Sequence, residues 1–440
     1  VQTYWCEYAW LGGITSSPGV LIEVQGHRIA SVSQVEACPA GATRLPGLTL
    51  PGLANGHSHA FHRALRGRTQ KGHGSFWTWR EQMYSVASRL TPDSYFRLAR
   101  AAYGEMVMAG ITAVGEFHYL HHGPGGAPYA DPNAMSSALA AAAEEAGVRL
   151  TLLDTCYLHG GFGVEPNEVQ MRFSDGTAER WAERVSGFHS TDGVVLGAAV
   201  HSVRAVDADS ISLVAEWAAE RNAPLHAHVS EQPAENEQCL AATGRTPTEL
   251  LDEQGALGER FTSVHATHLT EHDIRLHGDH RCTVCMCPTT ERDLADGVGP
   301  ARLLREAGAP MSLGSDSHAV VDLFEEARGV ELDERLHTLS RGHHTASSLL
   351  RAATADGHAS LGRHGGGRLV TGAPADFVTI RLDSVRTAGC GAGPEVAVFA
   401  ATAADVHHVV TDGAVRVSEG RHVAIDVAAE LTAVIGELQR

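Results

Sequence analysis

Three features of the sequence predict an α/β fold, a (β/α)8 (TIM) barrel with a small β-sandwich domain. Strand-like apolar stretches alternate with helix-like ones through the middle of the chain, the order of a parallel sheet covered by helices. Histidine or aspartate stands at the ends of four of those stretches, and reactive side chains at successive strand ends are how such a barrel presents a site. Short alternating segments lie near both chain ends, so one sandwich can be built from the two. The expected parts are 1–50 for the N-terminal part of the sandwich, 51–366 for the barrel and 367–440 for the C-terminal part.

The elements follow in order. Short alternating segments over about 20–33 and again over about 375–423 are broken by Gly, Asp and Arg, and Leu21-Ile22-Glu23-Val24 in the first reads as a strand. Eight barrel strands are then expected to start near Leu48, Thr112, Arg149, Val194, Ala223, Thr262, Arg281 and Pro310. Helix-like 95–108 precedes strand-like 112–117, 133–146 precedes 149–158, and 210–220 precedes 225–229. Gly365-Gly366-Gly367 reads as a linker back to the sandwich, where Phe377-Val378-Thr379-Ile380 and Val406-His407-His408-Val409-Val410 supply strands.

His57-Ser58-His59 ends an apolar run, and residues i and i+2 of a strand project to one side, so both imidazoles can aim at one point. With 27 histidines in the chain, that triplet alone would carry little weight. The ordered set carries it: His228 ends Pro224-Leu225-His226-Ala227-His228-Val229, His265 ends Thr262-Ser263-Val264-His265, and Asp316 ends a stretch from Pro310. Histidine and carboxylate ligands with an open position suit a catalytic zinc, which brings the pKa of its water toward about 7. Asp316 is placed to ligate and to accept a proton. Glu231, three residues beyond His228, could carry a proton to a leaving nitrogen. His265 could stabilise developing charge, with His268 as its rival, and spacing alone does not separate His226 from His228 as ligand.

The formal charge of -18 lacks the basic stripe that nucleic acid requires. Residues 1–12 show no basic start and no long apolar core, and no stretch approaches the roughly 18 apolar residues of a membrane helix, so a cytoplasmic protein with no membrane partner is expected. Eight cysteines then suit reduced thiols. Cys282, Cys285 and Cys287 crowd onto one strand and read as small buried hydrophobes. Arg80 and Arg204 are candidates to grip carboxylates through paired hydrogen bonds, while Trp77 and Trp79 read as packing.

The segments 53–61, 228–232, 264–268 and 314–318 resemble the amidohydrolase superfamily. Within it, Phe76-Trp77-Thr78-Trp79-Arg80, Glu116-Phe117-His118-Tyr119-Leu120-His121-His122, His201-Ser202-Val203-Arg204 and Cys287-Pro288-Thr289-Thr290-Glu291 resemble the formimidoylglutamate deiminases of histidine degradation. The likeness covers essentially the whole chain. It implies hydrolysis of N-formimino-L-glutamate to N-formyl-L-glutamate and ammonia, metal ligands His57, His59, His228 and Asp316, and catalytic Glu231, His265 and Asp316. It also implies substrate contacts from Arg80, Tyr119, His201 and Arg204, a small dicarboxylate as partner, and a homodimer. His62 stands where that family has glutamine, so this contact is either remade by imidazole or serves a different substrate. Binuclear members bridge their metals with a carbamylated lysine at a strand end. The one lysine of this chain, Lys71, falls in a Gly-rich stretch after the first strand, which implies one zinc ion per chain. The alternatives are a deaminase of another amidine or of a heterocycle such as guanine, and a barrel that binds without catalysis.

Overall fold

The computed structural model describes residues 1–70, 76–189 and 193–439. It holds two eight-stranded sheets. The first four strands, β1 (Gln2–Ala9), β2 (Ser17–Gln25), β3 (Arg28–Gln34) and β4 (Thr43–Pro51), belong to one of them. Next come the barrel strands β5 (Leu53–Ser58), β6 (Ile111–His118), β7 (Arg149–Cys156), β8 (Val195–Val200), β9 (Leu225–Val229), β10 (Phe261–His265), β11 (Thr283–Met286) and β12 (Met311–Leu313). They pair in parallel from β5 to β12, and a parallel bridge between Ser58 and Asp316 brings the last strand back to the first. The chain ends with β13 (Phe377–Ile380), β14 (Val406–Thr411), β15 (Ala414–Ser418), β16 (Arg421–His422) and the helix Val427–Leu438.

The second sheet runs β16-β15-β14-β13-β4-β1-β2-β3, so both chain ends build it. The antiparallel pair β4 and β13 makes the join, with Pro51 opposite Phe377 and Leu48 opposite Ile380. Tyr4, from the N-terminal part, meets Phe377 edge to face at 5.0 Å. Ile22, Val24, Ile29 and Leu45 share a buried apolar cluster with Leu369, Phe377 and Val410.

The expected first barrel strand, starting near Leu48, is divided between the sheets: 43–51 pairs with β1 and β13, and the barrel begins at Leu53. Gly52 is the crossing point, where a Cβ would lie 2.2 Å from Thr112 Oγ1. One apolar run therefore serves two cores, which hydrophobicity alone does not reveal. Between the barrel strands the helices cover the outside. The helix Pro92–Met108 starts at Thr91, whose hydroxyl accepts the Ser94 N–H while Ser94 returns the bond, a cap worth about 1 kcal/mol. It buries Leu98, Ala102 and Met106 against the barrel. Cys285 and Cys287 are buried and pack with Val264, as small hydrophobes do. Among the described residues no helix is long and apolar enough to cross a membrane.

Candidate active site

Each site residue sits where a strand stops. β5 ends in His57-Ser58 with His59 next, β9 carries His228, β10 ends in His265, and Asp316 follows β12 after Gly314. A Cβ at Gly314 would lie 2.8 Å from the His57 Cβ, so only glycine lets the end of β12 approach β5 this closely. Asn55 fastens the approach: its Oδ1 accepts the Ser315 N–H at 2.9 Å and its Nδ2 donates to Ser315 Oγ at 2.7 Å. Ser230, His265, Ala266, Asp316 and His318 all have positive φ. Left-handed backbone at non-glycine residues is strained, and here it marks the sharp turns at the strand ends beside the site.

His57, His59, His228 and Asp316 converge. The Nε2 atoms of His57 and His59 lie 3.1 Å apart, and that of His228 lies 3.2 Å from His57. Asp316 Oδ1 is 3.1 Å from His57 Nε2 and 3.3 Å from His59 Nε2. Ligands about 2.0–2.1 Å from a tetrahedral ion stand roughly 3.3 Å from one another, so the spacing fits a metal already. The ring orientations agree. His59 Nδ1–H donates to the Phe117 carbonyl and His228 Nδ1–H to the His201 carbonyl, both at 2.9 Å, which leaves each Nε2 lone pair facing the centre. Burial pulls His57 down to about 3 and His228 well below the usual range, so both are neutral ligands. Burial would raise Asp316, but hydrogen bonds with His57 and His59 outweigh it and hold the carboxyl well below its usual range.

Glu231 and His265 stand on the same wall. His265 Nε2 lies 3.8 Å from both Glu231 Oε1 and Asp316 Oδ2, and its Nδ1 faces Glu291 Oε1 at 3.4 Å. Burial opposes charge on His265, yet Glu231, Glu291 and Asp316 together raise it well above its ordinary value. Burial raises Glu231, and His265 partly offsets the rise. The rivals turn elsewhere: His268 Nε2 bonds to the Asp296 carbonyl at 2.7 Å, and His226 Nε2 to the Ser360 carbonyl at 2.9 Å.

A pocket opens over this centre, and His62, Arg80, Tyr119, His201 and Arg204 all line it. His62 is buried, held neutral by burial and by neighbouring His59, and its Nε2 pairs with the Tyr119 hydroxyl at 2.9 Å. Arg204 Nε lies 3.7 Å from Glu235 Oε1. Burial works against the Arg204 charge, but Glu235 and Glu231 more than compensate. Trp79, read above as packing, stands 5.1 Å from the His62 ring and lines the pocket as well. Lys71 and the side chain of Trp77 lie outside the described residues. Sequence reasoning missed Tyr84, Tyr157 and Phe173, which complete the wall. Tyr157 directly follows β7 as His201 follows β8, and Tyr84 lies one turn beyond Arg80, signals that could have found them.

A second cluster, His118, His121 and Asp154, also brings potential ligand atoms together, within 4.8 Å. Its chemistry differs. Asp154 already accepts two guanidinium N–H bonds from Arg184, at 2.8 and 3.0 Å, and the Trp181 indole N–H at 3.1 Å. His121 Nε2–H donates to the Thr155 carbonyl at 2.9 Å. With the carboxylate saturated by a cation, this is a buried ion-pair network rather than a metal site.

Residues 48–416 match the family model described as "Amidohydrolase family". The chain is 35% identical over 436 residues to a formimidoylglutamate deiminase of Pseudomonas aeruginosa, covering 95% of this chain and 96% of that one. It is 29% identical to an 8-oxoguanine deaminase of the same organism, covering 95% and 92%. A crystal structure of an amidohydrolase from Brucella melitensis superposes with a TM-score of 0.91 at 33% identity, each chain covered in full. A zinc-bound adenosine deaminase structure from Xanthomonas campestris, at 22% identity and a TM-score of 0.86, shares the fold. The three-histidine, one-aspartate metal site and the deiminase relatives mark a hydrolase acting on carbon–nitrogen bonds. Matched by the family model over most of its length and by a relative it covers almost end to end, the chain belongs to the amidohydrolase family.

Proposed function

We propose that this protein deaminates N-formimino-L-glutamate to N-formyl-L-glutamate and ammonia in histidine degradation, using one zinc ion per chain. The carrying observation is that one pocket is lined both by His59, His228 and Asp316 of the metal tetrad, with Glu231 and His265, and by Arg80 and Arg204. An amidine head and a dicarboxylate tail match those two sets of groups. The relative at 35% identity supports the choice.

The ion, when bound, supplies a Lewis acid and a water made nucleophilic near neutral pH. His57, His59, His228 and Asp316 would hold the ion, and with Asp316 Oδ1 facing the ligand histidines its Oδ2 would be free to accept a proton from the attacking water. Glu231, kept protonatable by burial, passes a proton to the nitrogen that leaves as ammonia. His265, 3.8 Å from both carboxylates, is cationic and holds them in place while charge develops. Arg204 and Arg80 grip the carboxylates, and His62, Tyr119 and His201 fix the middle of the substrate. A cytoplasmic homodimer belongs to the same reading.

A second reading draws on Trp79, Tyr84, Tyr119, Tyr157 and Phe173, an aromatic lining that would also suit a heterocycle. The two arginines favour the dicarboxylate. Ammonia release from N-formimino-L-glutamate, its aspartate homologue, guanine and 8-oxoguanine separates the readings. The expected result is a kcat/KM at least about tenfold higher for the glutamate derivative. Better turnover of a purine would replace it, and no metal-dependent ammonia release from any of the four would favour a barrel that only binds.

A further inference from the structure

Behind the arginines, a hydrogen-bond chain runs from a buried carboxamide into the pocket wall. Gln170 is buried, in the short turn Gln170–Arg172, and does not line the pocket. Its Oε1 accepts the Asn167 backbone N–H at 2.9 Å. A backbone amide can only donate, so this contact fixes the carboxamide orientation and turns its Nε2 the other way. That nitrogen donates to the Tyr157 hydroxyl at 2.7 Å. Tyr84 lines the same pocket as Tyr157.

Counting donors gives the direction. The Tyr157 oxygen accepts from Gln170, so its own proton must point away from Gln170. Two phenols hold two hydroxyl protons, and a bond between them would use at most one. At least one proton is therefore left to face the pocket, beside Arg80, whose guanidinium lies 5.6 Å over the Tyr84 ring, and beside Arg204. The Tyr157 ring is itself held 4.5 Å from His201. Burial raises the pKa of both phenols, so they stay protonated donors at neutral pH. A stretch of wall that brings two guanidinium groups and phenol O–H donors together suits an anion.

We propose that Tyr157 and Tyr84 are substrate-specificity residues that donate to a substrate carboxylate alongside Arg80 and Arg204, and that Gln170 is the positioning residue that sends the Tyr157 proton into the pocket. The inference rests on the dicarboxylate reading above and extends it to residues that reading does not use. A hydrogen bond to a charged group is worth about 1.5–3 kcal/mol, roughly 10- to 100-fold in binding.

The test is a double-mutant cycle on the metal-loaded enzyme, reading KM and kcat for N-formimino-L-glutamate and the inhibition constant of glutarate. Tyr157→Phe is expected to raise KM and the glutarate constant by about 10-fold or more, with the loss falling on KM rather than kcat. Gln170→Glu replaces the donor with an acceptor and draws the Tyr157 proton backwards, so it should cost about as much alone and add little to Tyr157→Phe. Gln170→Met leaves the proton free and should cost clearly less than Gln170→Glu. Unchanged KM and glutarate inhibition in Tyr157→Phe would overturn the proposal, as would full additivity of Tyr157→Phe with Gln170→Glu, which would mark a long-range charge effect. A parent that binds glutarate but does not deaminate N-formimino-L-glutamate would refute the substrate assignment alone. Loss of glutarate binding in Tyr157→Phe would then still support the tyrosine wall.

Discussion

Asp316 donates its backbone N–H to the His57 carbonyl at 3.0 Å while its carboxylate stands 3.1 Å from the His57 Nε2. The contact that closes the barrel between its first and last strands is thus the one that assembles the metal site, and metal binding and barrel stability are linked.

Metal removal should therefore do more than abolish turnover. A ligand that binds only the folded state stabilises it by about 2.7 kcal/mol at a hundred times its Kd. Chelated protein is expected to melt several degrees lower and to recover on adding one equivalent of zinc. Elemental analysis should find one ion per chain. Two ions that survive dialysis and are both needed for activity would refute the mononuclear site.

Glu231→Gln should keep the metal and lose about 10²- to 10⁴-fold in kcat, the usual cost of removing a general acid or base. His59→Ala should lose metal as well. Measuring metal content and kcat on the same preparations tells the two roles apart, and near-normal turnover by Glu231→Gln would remove that residue from the chemistry.

His62 tests whether the substrate is that of the deiminase relatives. Its neutral ring bonds the Tyr119 hydroxyl at 2.9 Å, a contact a glutamine amide can remake. His62→Gln should keep N-formimino-L-glutamate as the best substrate with kcat/KM changed by less than about tenfold, roughly the worth of one neutral hydrogen bond. A reversed ranking in a substrate panel would show that the native chain prefers another compound.

Arg184 tests the second histidine cluster as an ion-pair network. Its guanidinium is buried and bonds both Asp154 and Asp175, with Nε 2.8 Å from Asp175 Oδ1. Arg184→Leu leaves two carboxylates uncompensated and should cost about 3–5 kcal/mol in denaturant unfolding. Metal content of the folded variant should match the parent, whereas loss of a bound ion would place a metal at His118 and His121.

What the sequence made legible follows from local geometry. His57 and His59 could be paired because strand side chains repeat every two residues, and the turns after β9 and β12 carry Glu231 and Asp316 on separate motifs. Period two could not separate His226 from His228, which share a face. Depth along the barrel separates them, since His226 reaches only the Ser360 carbonyl below the site. The apolar run around Leu48 continues past Gly52 to Leu53 and Ala54, and only pairing with β1 and β13 assigns its first part to the second sheet. Tyr84 and Tyr157 resemble core aromatics in sequence, and only the fold shows that both line the pocket and that Gln170, 13 residues beyond Tyr157, bonds the Tyr157 hydroxyl.

The account's central claim is that this pocket reads a carboxylate, and the most direct measurement is kcat/KM of Arg204→Met toward N-formimino-L-glutamate with metal content checked alongside. Arg204 is buried in the wall beside Glu235, and truncating one partner of a buried charge-assisted contact costs about 2–5 kcal/mol. The predicted result is a fall of about 30-fold or more at full metal occupancy. Turnover equal to the parent would make Arg204 a structural partner of Glu235 and contradict the reading of the substrate.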